Sequence, residues 1–508
     1  MENNLKRKIP QGYKAFQNSN YYQTIKAKKV PEVLASNKIK EVSNIKEIVE
    51  KLQLKDGMTF SFHHHLRNGD HVLNNVLAEV FKKPLKNITI AASSLFPVHE
   101  PLVKYIKNGQ VTKLYTNYLN GPVAETVMNG DLKELLVMQT HGGRPRAIEA
   151  GEIVIDVAFI AASCVDKLGN ASGKYGKNAF GSIGYAIADA KYAKKVVLVT
   201  DNLVEEHPFD YDIDGKYVDY IALMDEIGIQ QEIVSGTTQI TRDPVGLKIA
   251  KDAAKVLDKL KLIKDGFSMQ TGAGGVSLAV ANEISMIMEE RTITGSFVSG
   301  GITGYFVNML KNQLVEKLYD VQCFDLWAVY SAENNANHHL ISASKYANPF
   351  HEDPVVNKLD FAILGATEID LDFNVNVTTD SYGNIIGGSG GHADVANGCG
   401  VTVIVTQLVK TRIPIIKERV KTITTPGEDV DILVTERGIA INPKRVDLIE
   451  KLKETSIVIK TIEQLRDEAH RLTGIPREIP HSDEIIGVVE YRDGTVIDSL
   501  YKPLRMKK

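Results

Sequence analysis

The chain has 508 residues, 43% of them apolar, which is enough for two to four domains with real cores. Sixty Lys+Arg stand against 63 Asp+Glu, and a net charge of -3 provides no overall basic field to draw the molecule to nucleic acid or acidic lipid. Cys164, Cys323 and Cys399 lie far apart without CxxC spacing, which argues for a reduced, cytosolic chain with no metal site built on cysteine.

Positions 1–40 carry nine Lys+Arg and two acids but no continuous apolar run of the signal-peptide kind. They read as an extended, solvated arm suited to wrapping a partner, and residues 1–45 are set apart on that ground. Lys55-Asp56-Gly57-Met58-Thr59-Phe60 then reads as a polar turn entering a strand. The run Ser61-Phe62-His63-His64-His65-Leu66-Arg67-Asn68-Gly69-Asp70 follows it. Side chains alternate on an extended segment, so only His63 and His65 share a face, and no carboxylate spacing supports a metal there. Hydrogen bonding from Ser61, His63 and His64 to an anionic ligand is the better functional reading, with a buried structural role as its rival. A helix is predicted over Val72–Phe81.

His141-Gly142-Gly143-Arg144-Pro145-Arg146 offers two guanidiniums beside a flexible turn. Arg144 and Arg146 are therefore candidate polycarboxylate contacts, or equally partners in salt bridges. Strands rich in Val, Ile and Ala follow at Ile153–Ala162 and Val196–Thr200, and a join falls near Thr241–Leu257.

The pattern then starts again. Lys264-Asp265-Gly266-Phe267-Ser268-Met269 repeats the first turn, and Lys311 to Tyr319 matches Lys107 to Tyr115 at six of nine positions. Asp380-Ser381-Tyr382-Gly383-Asn384 repeats Asp166-Lys167-Leu168-Gly169-Asn170, and Val403 to Thr406 repeats Val196 to Thr200. Collinear matches at a nearly constant offset imply a duplication, with homologous halves over 46–245 and 246–508, the latter ending in a C-terminal extension. Within the second half a helix is predicted over Ile284–Glu290, strands over Phe361–Ala366 and Val401–Val405, and a helix plus hairpin after Lys451. The most apolar stretch, Gly400 to Val409, is too short to cross a bilayer. Continuous β-branched runs alternating with helical periodicity argue for an α/β fold of two tandem open, mostly parallel sheets, with ligands at the loops beyond the strand C-termini.

Three glycine-rich turns fall at such loops: Gly272-Ala273-Gly274-Gly275, Ser299-Gly300-Gly301-Ile302-Thr303 and Gly387-Gly388-Ser389-Gly390-Gly391-His392. Their N–H groups can form anion or oxyanion nests. None is followed by GK[ST], and none is a dinucleotide fingerprint, so NTPase and nicotinamide chemistry drop out. Asn374 and Asn376 share one face of an extended segment and are read as oxyanion donors or as turn-capping amides.

Taken together, Ser61 to His65, His141 to Arg144, Gly181-Ser182-Ile183-Gly184-Tyr185, Gly300 to Thr303, Gly390-Gly391-His392 and Val430 to Ala440 resemble the alpha chains of citrate lyase, over nearly the whole chain. The last segment is also similar to the V-D-x-x-V-T-E-x-G-x-A stretch of acyl-CoA transferases and hydrolases. The resemblance implies a CoA-transferase (NagB/RpiA-like) fold and an enzyme of citrate fermentation that converts citrate and acetyl-carrier to citryl-carrier and acetate. It implies no tightly bound cofactor. The thiol belongs to a phosphoribosyl-dephospho-CoA arm on a small acyl carrier subunit, or to CoA itself, and a beta subunit cleaves the citryl thioester. A homo-oligomeric chain in the cytoplasm, with no nucleic-acid or membrane partner, is expected.

By the same resemblance Asn376 with Gly390 or Gly391 would line the oxyanion site. Ser61, His63, His64, Arg144, Arg146, Gly300, Gly301, Thr303 and His392 would bind substrate, and Gly272, Ala273, Gly274 and Asn374 the thioester. One departure matters: many such transferases carry a catalytic Glu near the turn equivalent to Ser299-Gly300-Gly301, and here that stretch has no carboxylate. Direct attack by citrate through a mixed anhydride is the expectation.

Overall fold

Short runs of β-branched residues covered on both faces form parallel strands, because a pleated segment buried on both sides needs apolar residues at every position. The computed structural model describes all residues except 206–209, 235–238, 478 and 505–508. Its first half contributes β1 (Thr59–Phe62), β2 (Ile88–Ala92), β3 (Val111–Thr116), β4 (Leu136–Met138), β5 (Val157–Ala161), β6 (Lys195–Thr200) and β7 (Tyr220–Leu223). These lie side by side, all parallel, in the order β7-β6-β5-β1-β2-β3-β4.

The second half contributes β8 (Ser268–Thr271), β9 (Gly295–Ile302), β10 (Val315–Cys323), β11 (His338–Leu340), β12 (Phe361–Gly365), β13 (Val401–Val405) and β14 (Ile432–Thr435). Their order, β14-β13-β12-β8-β9-β10-β11, is the first one over again, and these pairs too are parallel. Register agrees as well. Phe60 on β1 pairs with Ile90 and Val157, and its counterpart Met269 on β8 pairs with Val298 and Phe361.

The repeated turns are superimposable in chemistry. Asp166 accepts from the N–H of Leu168 and Asn170 and from the Asn170 amide at 2.8 Å, and Asp380 accepts from Tyr382, Asn384 and the Asn384 amide at 2.8 Å. Gly169 and Gly383 sit at φ +87° and +86°, the left-handed region where glycine carries no Cβ penalty.

The helices expected from periodicity are present at Val72–Val80 and, longer than expected, at Gly275–Arg291. The join is the amphipathic helix Pro244–Lys259, capped by Asp243.

The two ends of the chain depart from the reading of the sequence. The C-terminal hairpin, β15 (His481–Glu490) and β16 (Val496–Pro503), does not extend the second sheet; β15 pairs in parallel with β4 of the first. The N-terminal arm is solvated along much of residues 1–17 but is anchored to its own chain. Ile9 and Phe16 are buried, Phe16 packs edge-on against Tyr491, and Asn3 donates to the carbonyls of Val496 and Ile497. The arm wraps its own chain because the hairpin offers an apolar ledge and free strand carbonyls, both of which lie almost 500 residues away in sequence. No helix among the described residues is long and apolar enough to cross a membrane.

Candidate functional site

The C-terminal ends of the strands in the two sheets meet along a seam. Across it His64 Nε2 lies 2.9 Å from Gln322 Oε1, and Gln322 returns a bond to the His64 carbonyl. The loop 387–391 from the second half threads into the first: Leu119 N–H bonds to Gly387 O, Gly390 N–H to Asn117 O, and His141 N–H to Gly390 O at 2.8 Å. Asp394, in the helix His392–Gly398 that follows, accepts from Thr140 Oγ1 and Gly142 N–H.

The segment Ser299-Gly300-Gly301-Ile302, expected as a turn, lies within β9 with a bulge between Gly300 and Gly301, and its glycines and those of this loop are drawn to one place. A Cβ on Gly300, at φ +107°, would strike the Gln270 amide, and a Cβ on Gly391 would strike the Tyr346 hydroxyl. Gln270 and Tyr346 are bonded to each other at 2.6 Å. Gly274 and Gly365, beyond the end of β8 and at the end of β12, border open space, and Gly272 makes only ordinary contacts. Around them the buried polar atoms Gln270 Oε1, Thr271 Oγ1, Ser299 Oγ, Thr303 Oγ1, Ser389 Oγ and Asn117 Oδ1 lack protein partners. Unsatisfied buried atoms occur elsewhere in the chain as well, but these six have donors and acceptors that a polar ligand at the seam could meet.

The charge of the seam is carried by Arg67. Its guanidinium lies over the rings of Phe96, from the first half, and Phe324, from the second, at 5.5 and 4.9 Å. Burial pushes it below its usual range, and the groups that act in the opposite sense are the phenols of Tyr118 and Tyr185. Among the described residues no carboxylate pairs with it. Arg67 is partly buried, and the two aromatic faces interact with its charge without accepting from its N–H groups, so the donors remain open to an anion.

Its neighbours stay neutral. Burial, reinforced by His141 and Arg67, holds His64 well below its usual pKa, and burial beside Arg144 lowers His141 to about 3. Both rings pack on Tyr185, at 4.7 and 4.6 Å. Neutral imidazoles and phenols donate hydrogen bonds here without adding charge.

Several expected site residues do other work. His63 and His65 do share a face, stacked at 5.6 Å, but it is the interior face of the first half. His63 Nε2 lies 3.2 Å from Asp189, which also takes a bidentate fork from Arg144 at 2.6 and 2.7 Å. Burial works to raise Asp189, yet Arg144 and His63 override it and hold the carboxyl well below the usual range. Arg144 is therefore a buried structural cation, and Arg146 is likewise spent on Glu152 at 2.8 Å.

Neither amide is an available oxyanion donor. Asn376 donates to Glu368 and Thr379 and accepts from the N–H groups of Thr378 and Thr379; Asn374 donates to Asp370 and accepts from Gly427 N–H. His392 uses both ring nitrogens, on Thr425 Oγ1 and the Gly365 carbonyl, and burial lowers it to about 4. Gly390 N–H is committed to Asn117, whereas none of the hydrogen bonds of the described residues uses Gly391 N–H.

His64, Gly300, Gly301, Thr303, Gly391 and the Gly272-Ala273-Gly274 turn do lie at the seam. Ser61 is a buried β1 residue whose hydroxyl has no partner. Arg67, His141, Gln322, Tyr185 and Gln270 were not singled out by the sequence reading. Arg67 and His141 stood inside motifs already noted, but Gln322 and Gln270 carry no local signal. Among the described residues, one trio with metal-ligand chemistry, Asp320, Cys323 and His338, is fully buried beneath the seam, and its members are bonded to one another through Asp320 Oδ2 at 3.0 and 2.9 Å.

The sequence model of one family, citrate lyase, alpha subunit, matches residues 37–502. The chain belongs to the citrate lyase alpha-subunit family. The citrate lyase alpha chain of Haemophilus influenzae is 46% identical over 91% of this chain and 92% of its own length, and that of Escherichia coli strain K12 is 44% identical over 96% and 94%. Among solved structures, the putative alpha subunit of citrate lyase from Streptococcus mutans, in complex with citrate, aligns with a TM-score of 0.93 at 43% identity, covering 99% of this chain and 100% of that one. The malonate decarboxylase alpha subunit of Acinetobacter baumannii shares the fold, with a TM-score of 0.62 at 16% identity, over 86% of this chain and 90% of its own. The duplicated α/β architecture is thus that of a citrate lyase alpha subunit.

Proposed function

We propose that the seam transfers an acyl-carrier thioester from acetate to citrate by direct carboxylate attack. A citrate carboxylate oxygen adds to the carbonyl of the acetyl thioester, expelling the carrier thiolate and leaving a mixed acetyl–citryl anhydride. The thiolate then adds to the citryl carbonyl of that anhydride, and acetate departs with one oxygen that came from citrate. A carboxylate is already ionised at neutral pH, so no general base is required.

The protein has to seat anions and stabilise the oxyanion of each addition. Gly391 N–H, neutral His141 and the turn Gly272-Ala273-Gly274 are groups of the right kind, whereas His64 is held in place with its ring nitrogens on Ser93 Oγ and Gln322 Oε1. The thiol is carried on the prosthetic arm of a small acyl carrier subunit, with CoA as its soluble substitute; a beta subunit consumes the product, and the alpha chain works as a homo-oligomer in the cytoplasm.

The observation that carries the direct route is the absence of a poised nucleophile. The segment Ser299-Gly300-Gly301 has no carboxylate, and three acids along the seam are engaged: Asp325 with the N–H groups of Gly304 and Ala328, Asp394 with Thr140 and Gly142, Asp320 with His338. The full-length protein incubated with acetyl-CoA and examined by intact mass, with and without borohydride, should show no CoA ester. A CoA adduct reducible by borohydride would overturn direct attack.

A further inference from the structure

Resting on the transfer reading, we propose that Arg67 is the seat of a non-reacting carboxylate of the substrate, and that it makes the site selective for a polycarboxylate over acetate. The guanidinium lies between one ring from each half, Phe96 and Phe324, and ring faces can hold its charge but offer no lone pairs to its N–H donors. Those donors are the fork that binds a carboxylate in two parallel bonds.

No acid among the described residues competes for it, in contrast to Arg144, Arg146 and Arg492, which are engaged by Asp189, by Glu152, and by Asn397 and the Ala347 carbonyl. Arg67 is also held in the left-handed region, at φ +53°, where a residue with a Cβ persists only if its surroundings impose it. The surroundings do so. Gly69 is wedged against the Ile229 carbonyl, and Asp70 caps the helix Val72–Val80 through the N–H groups of Val72 and Leu73 while bonded to His99 at 3.2 Å.

The position fits the chemistry. Phe324 follows β10 directly and is the side chain that a Cβ on Gly301 would strike, so the cation stands one ring away from the glycine bulge of β9. A tricarboxylate attacking with one group has two others to anchor, whereas acetate has none. Arg67 should therefore act on citrate and leave acetate alone.

The test compares wild-type protein with Arg67→Gln and Arg67→Lys in two assays, citrate with acetyl-CoA and exchange of labelled acetate into acetyl-CoA. Loss of a charge-assisted fork predicts a rise of about 30- to 100-fold in the citrate KM for Arg67→Gln. The KM for acetyl-CoA and the acetate exchange rate should stay within about twofold. Arg67→Lys, which keeps the charge but not the fork, should fall between and guards against misfolding of the glutamine variant. An unchanged citrate KM, or an equal loss of acetate exchange, overturns the assignment, the second outcome placing Arg67 on the thioester instead. Calorimetric titration of citrate into wild type and Arg67→Gln needs no turnover. Loss of citrate binding in the variant upholds Arg67 even if the transfer reaction fails, and retained binding rejects it.

Discussion

Asn376 shows how a residue of the right type and position can be committed elsewhere. Both ends of its amide are engaged within its own loop, and the side chain is fully buried. Asn376→Ala would strip partners from Glu368 and from the N–H groups of Thr378 and Thr379, at about 1–3 kcal/mol for each buried group left unsatisfied. The expected outcome is a lowered thermal midpoint, with citryl transfer reduced only in proportion to the folded fraction. A 10²-fold loss of kcat at unchanged stability would restore the amide to the oxyanion site. The contrast with Arg67 explains what could be read from the sequence. Glycine turns announce themselves locally, so Gly300, Gly391 and the Gly272-Ala273-Gly274 turn were visible. Whether a polar side chain is occupied depends on partners far away, such as Asp189 for Arg144 or Phe324 for Arg67, and no spacing rule reports them.

At the level of elements, parallel strands were legible because two-sided burial leaves near-continuous Val, Ile and Ala, and the halves were legible because their turns repeat. The destination of the C-terminal hairpin was not, since pairing between β15 and β4 is set by which edge is open, not by anything near His481. Asp429 ties that hairpin to the second half by accepting from Tyr491 Oη at 2.7 Å and from Asn397. Burial raises its carboxyl to about 7, against roughly 3.9 in an unfolded chain. Between those values the folded state holds a proton that the unfolded state has released, so this group's contribution is full below about pH 4 and is lost as pH rises towards 7. Thermal midpoints measured from pH 4 to 7 should therefore fall less steeply in Asp429→Asn than in wild type, by up to about 1 kcal/mol per pH unit. Parallel pH profiles for the two proteins would show that Asp429 does not titrate in this way.

Over the whole molecule, duplication sets two sheets with the same strand order so that their C-terminal edges share one seam. That juxtaposition brings the polar loops of both halves together along the seam, with Arg67 held by a ring from each. A net charge of -3 supplies no general attraction for a trianionic substrate, so recognition rests on placed groups within the seam. The direct attack proposed above makes one demand on atoms that no structural role could imitate: the oxygen lost with acetate would come from citrate. A single turnover of the full-length protein with acetyl-CoA and citrate labelled with oxygen-18 in its carboxylates tests this directly. Direct attack predicts that acetate released in that first turnover carries one labelled oxygen. Unlabelled acetate, with the label appearing later in a protein carboxylate, would contradict it and place a covalent enzyme intermediate on the path.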